Sequence, residues 1–423
     1  MKREDIHWLD EENSQLEEET ITEEKQQEPA KKRPSVSKPL PKRTWLFILV
    51  ILCITCIGAF LLSDTFYSMV HHQTTYTLKA SDVSLEYTSD GVTHVHSFKN
   101  LLLRINRNGV QAVDTKGAVH WDVPYSMNGP SFSQAGSYAA IADLKGNQIC
   151  LLNESGQIGN ITTEGPITYC TVNETGHTAV IISTDVSNRI LVYDKSGNIL
   201  VRRETYISQD GIPIAATLNA DGTSLATSYV IYTETDLRSA VTLFNISDSS
   251  QTADKIAGNY SYPNTLVTEL HYMDDMLMYI GDNRIGGIRT TGNTEQLWEE
   301  SLAYQIVSFD FGSDYLAVLF GNGMAGVSIG ADSNLIVYAP NGSRLLEMNI
   351  ESPESLNVSN DIIVYQDGIT YNAMNAEGVK KWFFTPSNAP QQLFAMDSKH
   401  AVSVTPNSID FMNVVGLDET LDQ

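Results

Sequence analysis

An eight-residue stretch, DTKGAVHW from Asp114 to Trp121, returns in altered form along most of the chain, and its spacing restricts the fold more than any other feature. The copies are NESGQIGN at Asn153, DKSGNILV at Asp194, APNGSRLL at Ala339 and NAEGVKKW at Asn375, with a looser TTGNTEQLW at Thr290. Gly117, Gly156 and Gly197 stand 39 and 41 residues apart, and Gly342 and Gly378 stand 36 apart. The 145 residues from Gly197 to Gly342 hold three longer periods, marked by a degenerate NISDSS at Asn245 and by Gly292. Between the turns lie short runs such as YAAIAD, TAVIIST, RILVYD and DYLAVLF, broken by Gly, Asn, Asp and Pro, without helical periodicity of useful length. A period near 40 with four short strands per unit is what a β-propeller blade needs, so the expected fold is all-β.

The role of the turn follows from its residue types. Asp or Asn closes the turn with its own side chain, Gly supplies positive φ, and a Trp in eighth place covers apolar surface between neighbouring sheets. The residues expected to act this way are Asp114, Gly117, Trp121, Gly156, Asp194, Gly197, Gly292, Gly342, Gly378 and Trp382. Seven turns are followed by a last unit, LFAMDSKHAVSVTPNSIDFMNV, with three strands and no outgoing fourth. An early strand in DVSLEYT, around Leu85 to Thr88, is expected to supply the fourth and close the ring by pairing its two ends. This reading gives eight blades, with seven as the alternative if one long unit is miscounted.

Ahead of the repeats, WLFILVILCITCIGAFLL from Trp45 to Leu62 carries no charge and no polar stripe. With its neighbours it reaches about 20 residues, roughly the 30 Å of a bilayer core, which predicts a single transmembrane helix and a lipid-bilayer partner for residues 45–63. Lys31, Lys32, Arg33, Lys38, Lys42 and Arg43 precede the run and no Lys or Arg follows it closely, placing the amino terminus in the cytoplasm and the carboxyl part outside the cell membrane. The organisation expected is a disordered cytoplasmic tail over 1–44, a signal anchor over 45–63, a linker over 64–75, a propeller over 76–415 and a short tail over 416–423. Of the formal charge of −24, residues 64–423 carry most, with 40 Asp and Glu against 18 Lys and Arg. A surface that acidic repels phosphate backbones and excludes nucleic acid as a partner.

The Asp114 repeat, preceded by Ala112, resembles the blade repeat of quinoprotein-like (PQQ-like) propellers, in which each blade ends with Ala-x-Asp, a Gly and a docking Trp; the turn here is one residue shorter. As a whole the chain looks like a domain-of-unknown-function family of single-pass propeller proteins from Gram-positive anaerobes. The resemblance implies topology and fold, and no reaction.

Several stretches offer candidates for chemistry. Gly321, Gly323 and Gly326 have the G-x-G-x-x-G spacing, but VSIGADSNLIVY after them reads as turn and strand where a dinucleotide site needs a helix. His94 and His96, two apart in a strand, share a face without a third ligand in the sequence. NADGTS at Asn219 matches half a calcium loop and reads more simply as a turn. Cys150 and Cys170 sit in apolar runs and read as buried thiols, with a disulfide as the other possibility. No cofactor is therefore expected, calcium and a quinone cofactor being the alternatives. The functional expectation is a membrane-anchored extracytoplasmic propeller that binds an envelope protein or cell-wall ligand; the rival is a quinoprotein-like oxidoreductase using the central channel.

Overall fold

The computed structural model describes Thr55 and residues 76–184, 187–233, 236–247, 255–321 and 334–417. The chain divides into two units, Met1–Ser63 and Asp64–Gln423, and the described strands all lie in the second. The expected membrane span, apart from Thr55, lies outside the described residues, and no described helix is long and apolar enough to cross a membrane.

The second unit is built of strands. The described part of this unit opens with β1 (Tyr76–Glu86), and the first sheet follows as β2 (His94–Phe98), β3 (Leu101–Asn106), β4 (Gly109–Val113) and β5 (Val119–Pro124). The second sheet is β6 (Pro130–Ala135), β7 (Tyr138–Asp143), β8 (Gln148–Asn153) and β9 (Gly156–Thr162), and the third is β10 (Ile167–Val172), β11 (Thr178–Ser183), β12 (Asn188–Tyr193) and β13 (Ile199–Thr205). In the fourth are β14 (Ile212–Leu218), β15 (Ser224–Tyr232), β16 (Leu237–Asn245) and β17 (Ile256–Pro263); in the fifth, β18 (Val267–Met273), β19 (Met276–Gly281), β20 (Arg284–Arg289) and β21 (Glu295–Ser301). The sixth holds β22 (Ile306–Phe311), β23 (Leu316–Phe320), β24 (Leu335–Tyr338) and β25 (Arg344–Met348), and the seventh β26 (Pro353–Ser359), β27 (Ile362–Asp367), β28 (Thr370–Met374) and β29 (Lys380–Phe384). The last described strands are β30 (Gln392–Ala395), β31 (His400–Val404) and β32 (Ser408–Gly416).

Each sheet is an antiparallel meander in chain order, except where the ring closes. There β1 returns to pair antiparallel with β32, from Tyr76 opposite Gly416 to Glu86 opposite Ser408, with an irregularity between Ala80 and Ser84. The closing strand thus starts well before the stretch singled out in the sequence, because its first half, YTLKA, also has the apolar and β-branched content of a strand. One parallel pairing, Thr77 opposite Phe383, ties this eighth group to the seventh, so the two count as one eight-stranded sheet beside six four-stranded ones.

Burial explains which runs were easy to see. Second and third strands are covered on both faces, so they read as continuous apolar runs, as in YAAIAD of β7 and LAVLF of β23. The fourth strands alternate, as in EQLWEES of β21, because one face looks to solvent. First strands of successive sheets lie against one another, β6 with β10, β10 with β14, β14 with β18 and β22 with β26, so they form the inner wall. Apolar clusters fill the joints between consecutive sheets, and the last of them, with Val402 and Phe411 against Val95 and Leu102, joins the eighth group to the first. This radial arrangement of four-stranded meanders is a β-propeller.

Candidate functional site

The repeat turns join third strands to fourth strands. At Asp114 the carboxylate Oδ1 accepts the amides of Lys116 and Ala118, both at 2.9 Å, while Gly117 takes φ +77°. Asp194 accepts Ser196 and Asn198 in the same way around Gly197, and Asn375 accepts Val379 around Gly378. Gly156, Gly292 and Gly342 also have positive φ. The carboxylates of Asp114 and Asp194, although burial opposes it, are held below their ordinary pKa by these donors.

Two tryptophans dock from one sheet onto the turn of the next. Trp121 on β5 donates its indole N–H to the Glu154 carbonyl at 3.0 Å, with Gly156 under its ring. Trp298 on β21 donates to the Pro340 carbonyl at 2.8 Å, over Gly342. Spacing from the turn glycine hid Trp298, but register equates it with the others. Trp121, Trp298 and Trp382 stand opposite the small residues Ala112, Gly287 and Ala373, each just before a break in register. Trp382 is 3% exposed, between the seventh and eighth groups, and its indole nitrogen has no acceptor among the described residues. The neighbouring group has no third-to-fourth turn to offer one, because its last two strands come from opposite ends of the unit.

The sequence did not reveal the groups that face one another along the inner wall. His96 on β2 stacks on Phe132 of β6, ring centres 4.4 Å apart, and His271 on β18 stacks on Phe311 of β22 at 4.1 Å. Burial lowers both imidazoles to about 4, assisted at His96 by His94, so both are neutral at pH 7. Burial also raises Glu269 on β18 to about 7, against the hydrogen bonds from Leu270 and the Tyr169 hydroxyl and with some repulsion from Asp310. Asp310 is raised by burial as well, although it accepts the Val358 amide of the next sheet at 2.7 Å. Other inner side chains make similar stitches: Ser133 accepts the Val172 amide, Ser308 donates to the Leu356 carbonyl and Asn357 to the Leu393 carbonyl. No periodic signal announces these pairs, since each joins residues of different sheets.

The other candidates fall apart in space or lie elsewhere. His94 and His96 are 6.4 Å apart between ring centres, and no group of three or more His, Cys, Asp and Glu suited to a metal occurs among the described residues. In NADGTS the Asn219 side-chain oxygen accepts the Ser224 amide and Asp221 accepts Thr223, which is turn chemistry. Residues 322–333, with most of the glycine motif, lie outside the described residues; the flanking β23 and β24 pair antiparallel, unlike the parallel strands of a dinucleotide fold. Cys150 and Cys170 are both free. Cys150 packs at the joint of the first and second sheets and Cys170 at that of the second and third, and burial pushes each thiol up to about 12.

The fold and the stitched inner wall define a β-propeller in which side chains hold sheet to sheet. The chain belongs to the family described as Family of unknown function (DUF5711), whose model matches residues 71–414. No curated protein matches. Among solved structures, Saccharomyces cerevisiae Sqt1 is similar at 11% identity and TM-score 0.53, covering 80% of this chain and 100% of that one. A structure described as the eukaryotic initiation factor is similar at 11% identity and TM-score 0.52, covering 81% and 95%. BamB from Moraxella catarrhalis aligns at 11% identity and TM-score 0.47, covering 80% and 100%. At these identities the likeness concerns the fold.

Proposed function

We propose that this protein is a membrane-anchored, extracytoplasmic binding scaffold: an eight-bladed propeller, tethered by residues 45–63, that holds a protein or cell-wall ligand of the envelope. The observation that carries the reading is the use made of the inner wall. Its polar side chains bond to the backbone of the neighbouring sheet, as Ser133, Ser308, Asp310 and Asn357 do, which makes a stiff ring. Large apolar side chains stand exposed on connecting loops, Ile207 at 62% and Ile369 at 74%, and at the end of β15, Tyr232 at 77%, as a surface for contact.

The reading is tested in intact cells with the full chain. A photo-crosslinking residue at Tyr232 is expected to give a discrete adduct with an envelope protein or wall glycan, while external protease removes the propeller and leaves an amino-terminal tag protected. A protected propeller, or illumination that yields no adduct at any of several loop positions, overturns it.

A further inference from the structure

One face of the ring carries the hairpins between second and third strands and the links from each fourth strand to the next sheet. On that face the fourth sheet stands proud. Its β15 and β16 are nine residues each where β7 and β8 have six, so the hairpin reaches roughly 10 Å further. The last cross-strand pair before its tip, Tyr232 opposite Leu237, is exposed at 77% and 41%. Beside it the link into β14 exposes Ile207, and the first residue of β14, Ile212, is exposed and paired with Val230 of the hairpin.

From this tip a series of hydrogen bonds leads to a cleft. The Leu237 carbonyl accepts the Asn264 amide at 2.8 Å, Thr265 donates to the Asn283 side chain at 2.9 Å, and the Leu266 amide donates to Asp282 at 2.9 Å. Asp282 is part of the lining of a cleft of about 390 Å³ between the fifth and sixth sheets, with Ile280, Ile306 and Phe309 in its wall. The volume suits one large side chain or a small ligand. Asp282 is exposed and has no Lys or Arg partner among the described residues; the nearby Arg284 is paired with Glu299 at 3.0 Å.

We infer that this surface binds an extended segment of a partner protein in which a Lys or Arg is flanked by bulky apolar residues, the basic side chain entering the cleft toward Asp282 and the apolar neighbours lying on Tyr232 and Leu237. Charge decides the occupant. A unit with 40 acids against 18 bases repels a second copy of itself and attracts a basic segment, and the cleft offers a carboxylate over apolar and aromatic walls that suit the stem of a Lys or Arg. The inference rests on the binding-scaffold reading and narrows it to a face and a partner chemistry.

The test uses the full chain in detergent micelles and a phage-displayed library of random dodecapeptides, with enriched peptides measured by fluorescence anisotropy. The expected consensus places Lys or Arg next to aromatic or aliphatic residues. Asp282→Asn, which keeps an acceptor for Leu266, is expected to weaken binding at least fivefold and to flatten its salt dependence. Tyr232→Ser is expected to weaken it about tenfold, and Leu345→Ser on β25, the fourth strand of the sixth sheet and no part of the cleft lining, to leave it unchanged, all three melting like the parent. Peptides without a basic residue, or affinities indifferent to Asp282→Asn and Tyr232→Ser, overturn the inference and leave the scaffold reading standing. A library that yields no binder at all also overturns the inference, and the scaffold reading, which allows a cell-wall ligand, is then decided by the crosslinking and protease experiment alone. Self-association in sedimentation, abolished by Tyr232→Ser, would assign the face to a second copy and also overturn the inference.

Discussion

Gly342 and Gly292 share a left-handed backbone, with φ of +84° and +71°, but not a neighbourhood. A Cβ on Gly342 would lie 2.6 Å from the Trp298 ring, whereas one on Gly292 would meet nothing within 4 Å. Gly292→Ala therefore incurs only the conformational cost, about 1 kcal/mol. Gly342→Ala adds the displacement of a docked indole and is expected to cost about 3 kcal/mol in urea unfolding. Equal costs would show that the ring gives way freely. The tryptophans part company on the same logic. Trp298→Phe removes a hydrogen bond to Pro340 as well as area, while Trp382 has no acceptor to lose among the described residues. We expect Trp298→Phe to be the more destabilising by about 1 kcal/mol, and a larger loss at Trp382 would mean that its indole N–H is satisfied after all.

At the scale of the element, β18 sets two titrations against each other. Glu269 is raised from 4.5 to about 7, so its contribution to stability is full below pH 4.5 and is lost as pH rises through 7. His271, on the same strand, and His96 are lowered from 6.5 to about 4, so theirs is present above 6.5 and is lost as pH falls through 4. Glu269→Gln removes only the first. The variant is expected to exceed the parent at pH 8 by on the order of 2 kcal/mol, discounted for partial exposure, and to match it below pH 4.5. A gap independent of pH would place the Glu269 carboxyl in water. These effects could not be read from VTELHYM alone, since Glu269 is perturbed by a strand wall that includes Tyr169, a hundred residues earlier. The turn at Asp114 was legible because donor, acceptor and glycine are all local. Trp298 was half legible: its residue type showed, but the irregular register that makes it equivalent to Trp121 did not.

For the whole molecule, the joint that matters most is the one the backbone does not close. Every other four-stranded group is a continuous stretch of chain, whereas the eighth is completed by β1 from the far end of the unit. An open array of sheets would lose its terminal member first and the rest later, because each repeat touches only its neighbours. A ring has no terminal member: once β1 leaves β32, the apolar cluster of Leu78 with Trp382 and Met412 opens, and with it the parallel tie from Thr77 to Phe383. Leu78, 4% exposed, is the side chain to test. Leu78→Ala is expected to cost about 3 kcal/mol, within the usual range for emptying a buried leucine site. The loss should shift one cooperative urea transition of the full chain, followed in parallel by far-ultraviolet circular dichroism and tryptophan fluorescence. Two separated transitions, the earlier one reporting only the seventh and eighth groups through Trp382, would show that the remaining sheets stand without closure and that the ring is an array with its ends in contact.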